Sequence, residues 1–412
     1  MDTTIALYSH DSVGLGHARR NRALAYALAE HLPALTGGSV GGLLIAGHAD
    51  ASRDPLPEGW DWLVLPGMTR VRGGYGPRTL GMDAEALRDL RSATIDAALT
   101  ALNPDLFIAD RHPFGIDGEL RPVLANLRAR GTATVLGLRD VLDTPRVAAA
   151  EWDALGGAEH VASYLDKVWI YGDDRVYDPR LTGELPPALA RLATTTGFLA
   201  HGRPAARVST MPSASLKPPP PYVLTVLGGG SDGADLARLA ASSHLPEGHS
   251  HLLITGPQMP DHQIDEIREL AAATSAATRV VRSAPDVPEL IAEAASVVCM
   301  GGYNTMAEVM ATDTPALVVP RSRRRQEQPR RARALAALGA VETRDVGEVT
   351  AEQITDWWAR SVTGRTSRSH IDLGGLGVVA HLAAQLLPAA SAAPASAPVS
   401  VPALQEVSRH VG

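Results

Sequence analysis

The stretch Met300–Gly339 constrains the fold of this chain more than any other. It reads M-G-G-Y-N-T-M-A-E-V-M, then a short apolar run, then R-S-R-R-R-Q-E-Q-P-R-R-A-R-A-L-A-A-L-G. Ser296–Met300 is apolar and reads as a buried strand that ends in two glycines. The pattern predicts a helix starting near Thr305 with Glu308 in its first turn. A second apolar strand at Pro315–Pro320 then leads to a helix headed by Glu327-Gln328-Pro329. Two consecutive βα units thus bring a glycine turn, two helix N-termini, two acids and an amide to one edge of a parallel sheet. Open α/β sheets bind their ligands at that carboxyl edge.

The same alternation runs through the first half. Strands are predicted at Thr4–Ser9, Gly42–Ala46, Trp62–Pro66, Leu106–Ala109, Thr134–Leu138 and Val168–Tyr171. Helices are predicted at Ala18–His31, with Leu24, Leu28 and Leu32 on one face, at Asp83–Ala101 and at Leu120–Arg130. The Pro/Ser/Ala-rich segment 203–221, ending in Pro218–Pro221, interrupts the pattern and reads as a stiff connection. Alternation resumes with strands at Tyr222–Leu227, His251–Thr255, Arg279–Arg282, Ser296–Met300 and Ala316–Val319. Helices follow at Ala351–Val362 and Gly375–Leu387. The expected architecture is α/β: two doubly wound, Rossmann-like parallel-sheet domains, 1–202 and 222–387, facing each other across a cleft. Residues 388–412 are Ala/Pro/Ser/Val-rich and read as a disordered tail.

Bulk properties exclude several classes. The net charge of −7 argues against a general nucleic-acid binder. The lone Cys299 rules out a disulfide within the chain and a Cys-built zinc site, and its apolar strand marks it as an inert core thiol. No apolar run reaches the roughly 18–20 residues of a membrane helix. Met1–Thr4 lacks a basic leader region, so a cytoplasmic protein is expected, with peripheral membrane contact left open.

Three further constellations sit at strand ends. Ser9–Arg20 (S-H-D-S-V-G-L-G-H-A-R-R) leaves the first strand and opens the first helix. Gly14 and Gly16 permit close ligand approach. A histidine at a helix start has its charged form disfavoured, so a neutral His17 is a candidate base for an attacking hydroxyl or thiol. Arg19 is placed to meet phosphate or solvent, and Arg20 to be solvated. Asp110, in D-L-F-I-A-D-R-H-P, is a candidate to orient His17 or bind acceptor hydroxyls, and Arg139 and Asp140 end a similar strand as candidate acceptor or phosphate contacts. Gly228, Gly229, Gly230 and Ser231 open a loop suited to a nest of amides around phosphate. It is not a P-loop, since no Gly-Lys-Ser/Thr follows. Thr305-Met306-Ala307-Glu308 fits a capping box, a reading compatible with ribose contact by Glu308. Pro329 suits a first helical position. Seven arginines lie between Arg321 and Arg333, most simply a solvated face, or else a screen for a diphosphate or anionic acceptor.

These residues resemble a known family. The two-domain plan and the pattern G-G-Y-N-T-M-A-E…P-R…E-Q-P…A-x-x-L-x-x-L-G-A look like glycosyltransferases of the GT-B fold, on the MurG side. The segments S-V-G-L-G-H-A-R-R, P-D-L-F-I-A-D-R-H-P-F-G-I-D-G-E-L, V-L-G-L-R-D-V-L-D and W-I-Y-G-D-D-R-V-Y-D-P are similar to a bacterial group known only as predicted glycosyltransferases. The resemblance spans roughly Thr3–Leu387. It implies that Glu308 meets the ribose and that Glu327 and Gln328 meet the donor sugar. It also implies that Gly228–Ser231 and Gly301–Gly302 lie against the diphosphate, with Asn304 and Thr305 in the same donor site. His17 takes the place of the loop histidine that serves as base in inverting members. The first loop departs from MurG, which has a run of glycines there, so MurG's lipid acceptor does not carry over.

The function expected on this basis is transfer of a sugar from a nucleoside-diphosphate sugar to a nucleophilic acceptor, a small molecule or saccharide. The donor carries UDP by resemblance, with dTDP or GDP open. Inversion is implied, and neither a metal nor another cofactor is required, since amides and arginines stand in. One rival is a nucleotide-sugar hydrolase or epimerase, because G-x-G-H-x-x-R is similar to a loop of UDP-sugar hydrolases. Another is a non-catalytic nucleotide-sugar-binding partner.

Overall fold

A computed structural model describes residues 2–10, 14–204, 218–219, 221–284, 286–321 and 325–387. Most of the 203–221 connection and the whole 388–412 tail lie outside the described residues.

The chain builds two parallel sheets. The first takes β1 (Thr3–Tyr8), β2 (Val40–Ala46), β3 (Trp60–Val64), β6 (Leu106–Asp110), β7 (Ala133–Arg139), β8 (Lys167–Tyr171) and β9 (Ala193–Thr195), in the order β3-β2-β1-β6-β7-β8-β9. A small antiparallel hairpin, β4 (Met68–Val71) with β5 (Gly74–Pro77), stands apart from it. The second sheet takes β10 (Tyr222–Val226), β11 (Ser250–Ile254), β12 (Thr278–Val281), β13 (Ser296–Cys299), β14 (Ala316–Val318) and β15 (Glu342–Thr343), in the order β12-β11-β10-β13-β14-β15. In both sheets the order reverses beside the first strand, between β1 and β6 and between β10 and β13. A crevice opens at the carboxyl ends on either side of such a reversal.

The central strands are buried throughout, apart from the half-buried Thr4 of β1, as strands covered by helices on both faces must be. Cys299 is fully buried in β13, and burial pushes its thiol up to about 12, an inert core residue. The first helix, Gly16–Thr36, presents Leu24, Leu28 and Leu32 to the core, all fully buried. Each contributes roughly 1.5–3 kcal/mol relative to an exposed position.

The last helix, Gly375–Ala384, returns from the second sheet to pack along Gly16–Thr36. Its Val379, Ala380 and Ala383 share one apolar cluster with Ala23, Leu24 and Ala27. Phe198 N–H donates to Asp372 O at 2.8 Å, and Leu199 forms a bridge with Gly374, which holds this return in place.

Candidate active site

Two of the local expectations for the second sheet require correction. The helix after Gly301-Gly302 runs Tyr303–Met310, capped by Gly302 with extended backbone, so Glu308 is its sixth residue and lies outside the first turn. The capping box therefore does not form. The next helix runs Glu327–Ala337 and is capped by Gln326, which makes Pro329 its third residue.

The glycines are there because backbone must pass backbone. Gly230 has φ +86°, and a Cβ on it would stand 2.2 Å from Thr255 O. Gly301 has φ +81°, and a Cβ there would meet Val318 Cγ1 at 2.8 Å. These turns place Gly228, Gly229 and Ser231 on the exposed rim. A Cβ on Gly228 would approach Thr305 Oγ1 at 3.9 Å, and one on Gly302 would approach Gln328 Nε2 at 3.9 Å. The loop after β10, the turn after β13 and the heads of two helices thus converge as the spacing predicts.

His17 is the second residue of its helix and meets Asp110 at the end of β6, Nδ1 to Oδ2 at 3.1 Å. The side chain is 21% exposed. Burial lowers its pKa and Asp110 opposes that effect, so the main cause is desolvation rather than the helix terminus expected from sequence. A proton on Nδ1 gives the carboxylate a donor and leaves the Nε2 lone pair available. Arg20, expected in solvent, is buried at 2% exposure and grips Asp110 at 2.6 and 2.8 Å. Burial would raise the Asp110 carboxyl; Arg20 and His17 outweigh it and hold it down at about 2.

A wall of residues not singled out in the sequence stands beside His17. The rings of His10 and His112 lie 4.0 Å apart, His10 lies 5.8 Å from His17, and Tyr75 of the hairpin meets His10 Nε2 at 3.3 Å. Burial keeps both extra histidines well below the usual imidazole range. The Gly-Gly of V-R-G-G-Y-G was the available signal for the hairpin that supplies Tyr75.

The two edges touch. Asn304 Nδ2 donates to Gly16 O at 2.9 Å, and a Cβ on Gly14 would lie 2.8 Å from Gln258 Nε2. Glu308, 4% exposed, accepts on Oε1 from Arg19 at 2.5 Å and from Arg203 at 3.3 Å. Arg203, missed in the sequence, also donates to Asn304 Oδ1 at 2.7 Å. Glu327 Oε1 pairs with Arg321 at 2.6 Å, while its Oε2 is buried without a partner. Gln328 Oε1 accepts from Arg321 N–H at 3.3 Å.

Of the described arginines in the run, Arg333 is exposed, and the others pair inward rather than forming a solvated face; Arg323 and Arg324 lie outside the described residues. Arg331 closes on Asp140 at 2.6–3.0 Å with both side chains fully buried, and it donates to Gly301 O at 3.2 Å. Asp140 is thereby engaged by the opposite domain, contrary to its expected place among substrate contacts. Arg325 pairs with Glu151 at 2.9 Å and Arg330 with Glu184 at 3.1 Å. Tyr303 lies under both Arg20 and Arg331, their guanidinium carbons 5.4 and 5.6 Å from its ring centre.

Residues 223–367 match the Glycosyltransferase family 28 C-terminal domain. The second domain is a glycosyltransferase domain. Within it lie Gly228–Ser231, Gly301–Gly302, Asn304, Thr305, Glu308, Glu327 and Gln328. Over 96 residues the chain is 26% identical to the UDP-N-acetylglucosamine--N-acetylmuramyl-(pentapeptide) pyrophosphoryl-undecaprenol N-acetylglucosamine transferase of Leuconostoc citreum. That match spans 22% of this chain and 26% of the relative.

Solved structures show the fold of the whole chain to be GT-B. The glycotransferase of kitacinnamycin is 15% identical with a TM-score of 0.56, over 93% of this chain and 99% of that one. Os79 from O. sativa, in complex with UDP, is 14% identical with a TM-score of 0.58, over 93% and 100%. MurG of Acinetobacter baumannii is 14% identical with a TM-score of 0.51, over 94% and 96%. Among the described residues, no helix is long and apolar enough to cross a membrane.

Proposed function

We propose that the protein transfers a sugar from a nucleoside-diphosphate sugar to a nucleophilic acceptor, with inversion at the anomeric carbon and without a metal ion. One observation carries this reading. A histidine paired with a buried carboxylate on the first sheet meets, edge to edge, the glycosyltransferase domain's glycine turns and helix heads.

In this mechanism the acceptor's hydroxyl or thiol gives its proton to His17 Nε2 as it attacks the anomeric carbon, and the nucleoside diphosphate leaves from the opposite face. Amides of Gly228–Ser231 and the N-terminus of the Tyr303–Met310 helix meet the charge that develops on the leaving phosphate. Preorganised donors of this kind are worth about 3 kcal/mol each. Glu308 takes the ribose hydroxyls, sharing its carboxylate with Arg19 and Arg203, and Glu327 Oε2 and Gln328 take the donor sugar. UDP is the favoured nucleotide, in keeping with the UDP bound by Os79. The dTDP complex of VinC, another protein of this fold, keeps dTDP in the comparison.

A thermal-shift and calorimetric series with UDP, dTDP, GDP and their sugars tests the proposal, because a ligand of the native state raises its apparent stability. At least one should bind, and its sugar should turn over only when acceptor is added. Fast release of nucleoside diphosphate without acceptor would favour a hydrolase instead.

Two further outcomes are expected. E308Q should weaken nucleoside-diphosphate binding about 10–100-fold, the loss of a charge-assisted bond of roughly 1.5–3 kcal/mol. An unchanged affinity in calorimetry would remove Glu308 from the site. Because His17 works as the neutral base and its pKa is lowered, kcat/KM should stay flat through neutral pH. Its fall on the acid side should lie below 6.5. A limb above the ordinary imidazole value would mean that another group is titrating.

A further inference from the structure

The arginines around the end of β7 each hold a carboxylate. Arg20 pairs with Asp110 at 2.6 Å, Arg331 with Asp140 at 2.6 Å, Arg111 with Glu151 at 2.5 Å and Arg321 with Glu327 at 2.6 Å. Arg139 is different. It is half-buried, and no described carboxylate stands within ion-pair distance of it; its Nε is buried without a hydrogen-bond partner, as are those of Arg111 and Arg321. The charges bearing on it most are Glu327 across the cleft and then Arg20, Arg331 and Arg111. It bears in turn on both His17 and Glu327. Arg139 ends β7, which lies beside the β6 strand that carries Asp110, and it is within electrostatic reach of both the candidate base and the acid at the head of the Glu327–Ala337 helix.

We propose that Arg139 binds an oxyanion of a substrate, a carboxylate or phosphoryl group, held between His17 and Glu327. This rests on the glycosyltransferase reading for the identity of the substrates, but not for the anion site itself. A half-buried guanidinium among other arginines is costly unless a negative charge meets it. Burial and its like-charged neighbours already push this one down to about 9. Glu327 acts on Arg139 from beyond ion-pair distance, and its Oε1 is held by Arg321. A neutral hydroxyl would satisfy the orphaned Nε–H but leave the charge uncompensated. An oxyanion does both, and the guanidinium fork matches it with two parallel bonds. The oxyanion belongs either to the acceptor, which docks on the sheet that carries Arg139, or to the donor's diphosphate.

The test compares wild type with R139Q and R139K, using inorganic phosphate, pyrophosphate and UDP as probes in calorimetry and thermal shift. Phosphate or pyrophosphate should bind wild type, R139Q should weaken that binding at least tenfold, and R139K should retain part of it. If phosphate still binds through Arg139 when UDP is saturating, the oxyanion is the acceptor's. If UDP displaces phosphate and R139Q weakens UDP as well, it is the donor's. Removal of an uncompensated charge should leave R139Q melting at or above the wild-type temperature. Equal binding of the inorganic probes by wild type and R139Q, or none by wild type, overturns the proposal. So does an R139Q that melts several degrees lower, which would make the side chain a structural one. Phosphate binding that depends on Arg139 without any nucleotide binding would overturn the donor reading alone.

Discussion

H17A is expected to lower turnover roughly 10²–10⁴-fold, the range attributed to a positioned general base, while UDP affinity stays within about twofold. The split follows from location. His17 opens the first helix beside the first sheet and bonds through Nδ1 to Asp110, whereas the proposed nucleotide-binding groups belong to the second domain. Turnover in a direct transfer assay and UDP affinity by calorimetry check the two halves separately. A variant that retains turnover would make His17 a helix-start histidine with no chemistry. D110N is a poorer test, because Asp110 is also the counter-ion of buried Arg20. Its replacement leaves an uncompensated cation, and lost stability would mix with lost activity.

The two sheets and the convergence of their loops were legible because they are local properties. Apolar runs of strand length, helices with leucines at 24, 28 and 32, and glycines at strand ends all fall within windows of a dozen residues. Parallel topology then carries every strand's carboxyl end to one edge, where His17 and Asp110, 93 residues apart, meet; the sequence offered this as one of two roles for Asp110 and did not decide between them. What stayed hidden depends on docking. Arg20 differs from Arg19 by one residue, yet one turns under the sheet edge to Asp110 and the other reaches Glu308 of the second domain. Nothing in the spacing of R-R distinguishes them. The same holds for Arg330 and Arg331, whose partners Glu184 and Asp140 lie 146 and 191 residues away. The helix start was misplaced for a different reason. Thr305 and Glu308 fit a capping pattern, but the helix already begins after Gly302 in extended backbone, and Glu308 is engaged instead by Arg19 and Arg203.

Breaking the Arg331–Asp140 pair should be strongly destabilising. Both side chains are fully buried, and three bonds of 2.6–3.0 Å join them. Removing one partner strands the other charge out of water, a loss of roughly 3–5 kcal/mol. R331M and D140N should therefore each unfold at clearly lower urea than wild type, followed by tryptophan fluorescence. The double variant R331M/D140N retains no charge to strand and should recover much of the loss. Because the pair is shielded, added salt should change these differences little, unlike exposed pairs such as Arg333–Asp345 at 3.4 Å. Arg331 also donates to Gly301 O, so R331M should loosen the turn after β13 and raise the donor KM. The double variant, recovering stability while keeping that raised KM, separates the pair's contribution to the fold from its hold on the donor loop. Wild-type unfolding in both single variants would mean that this pair adds nothing net to the contact between the domains.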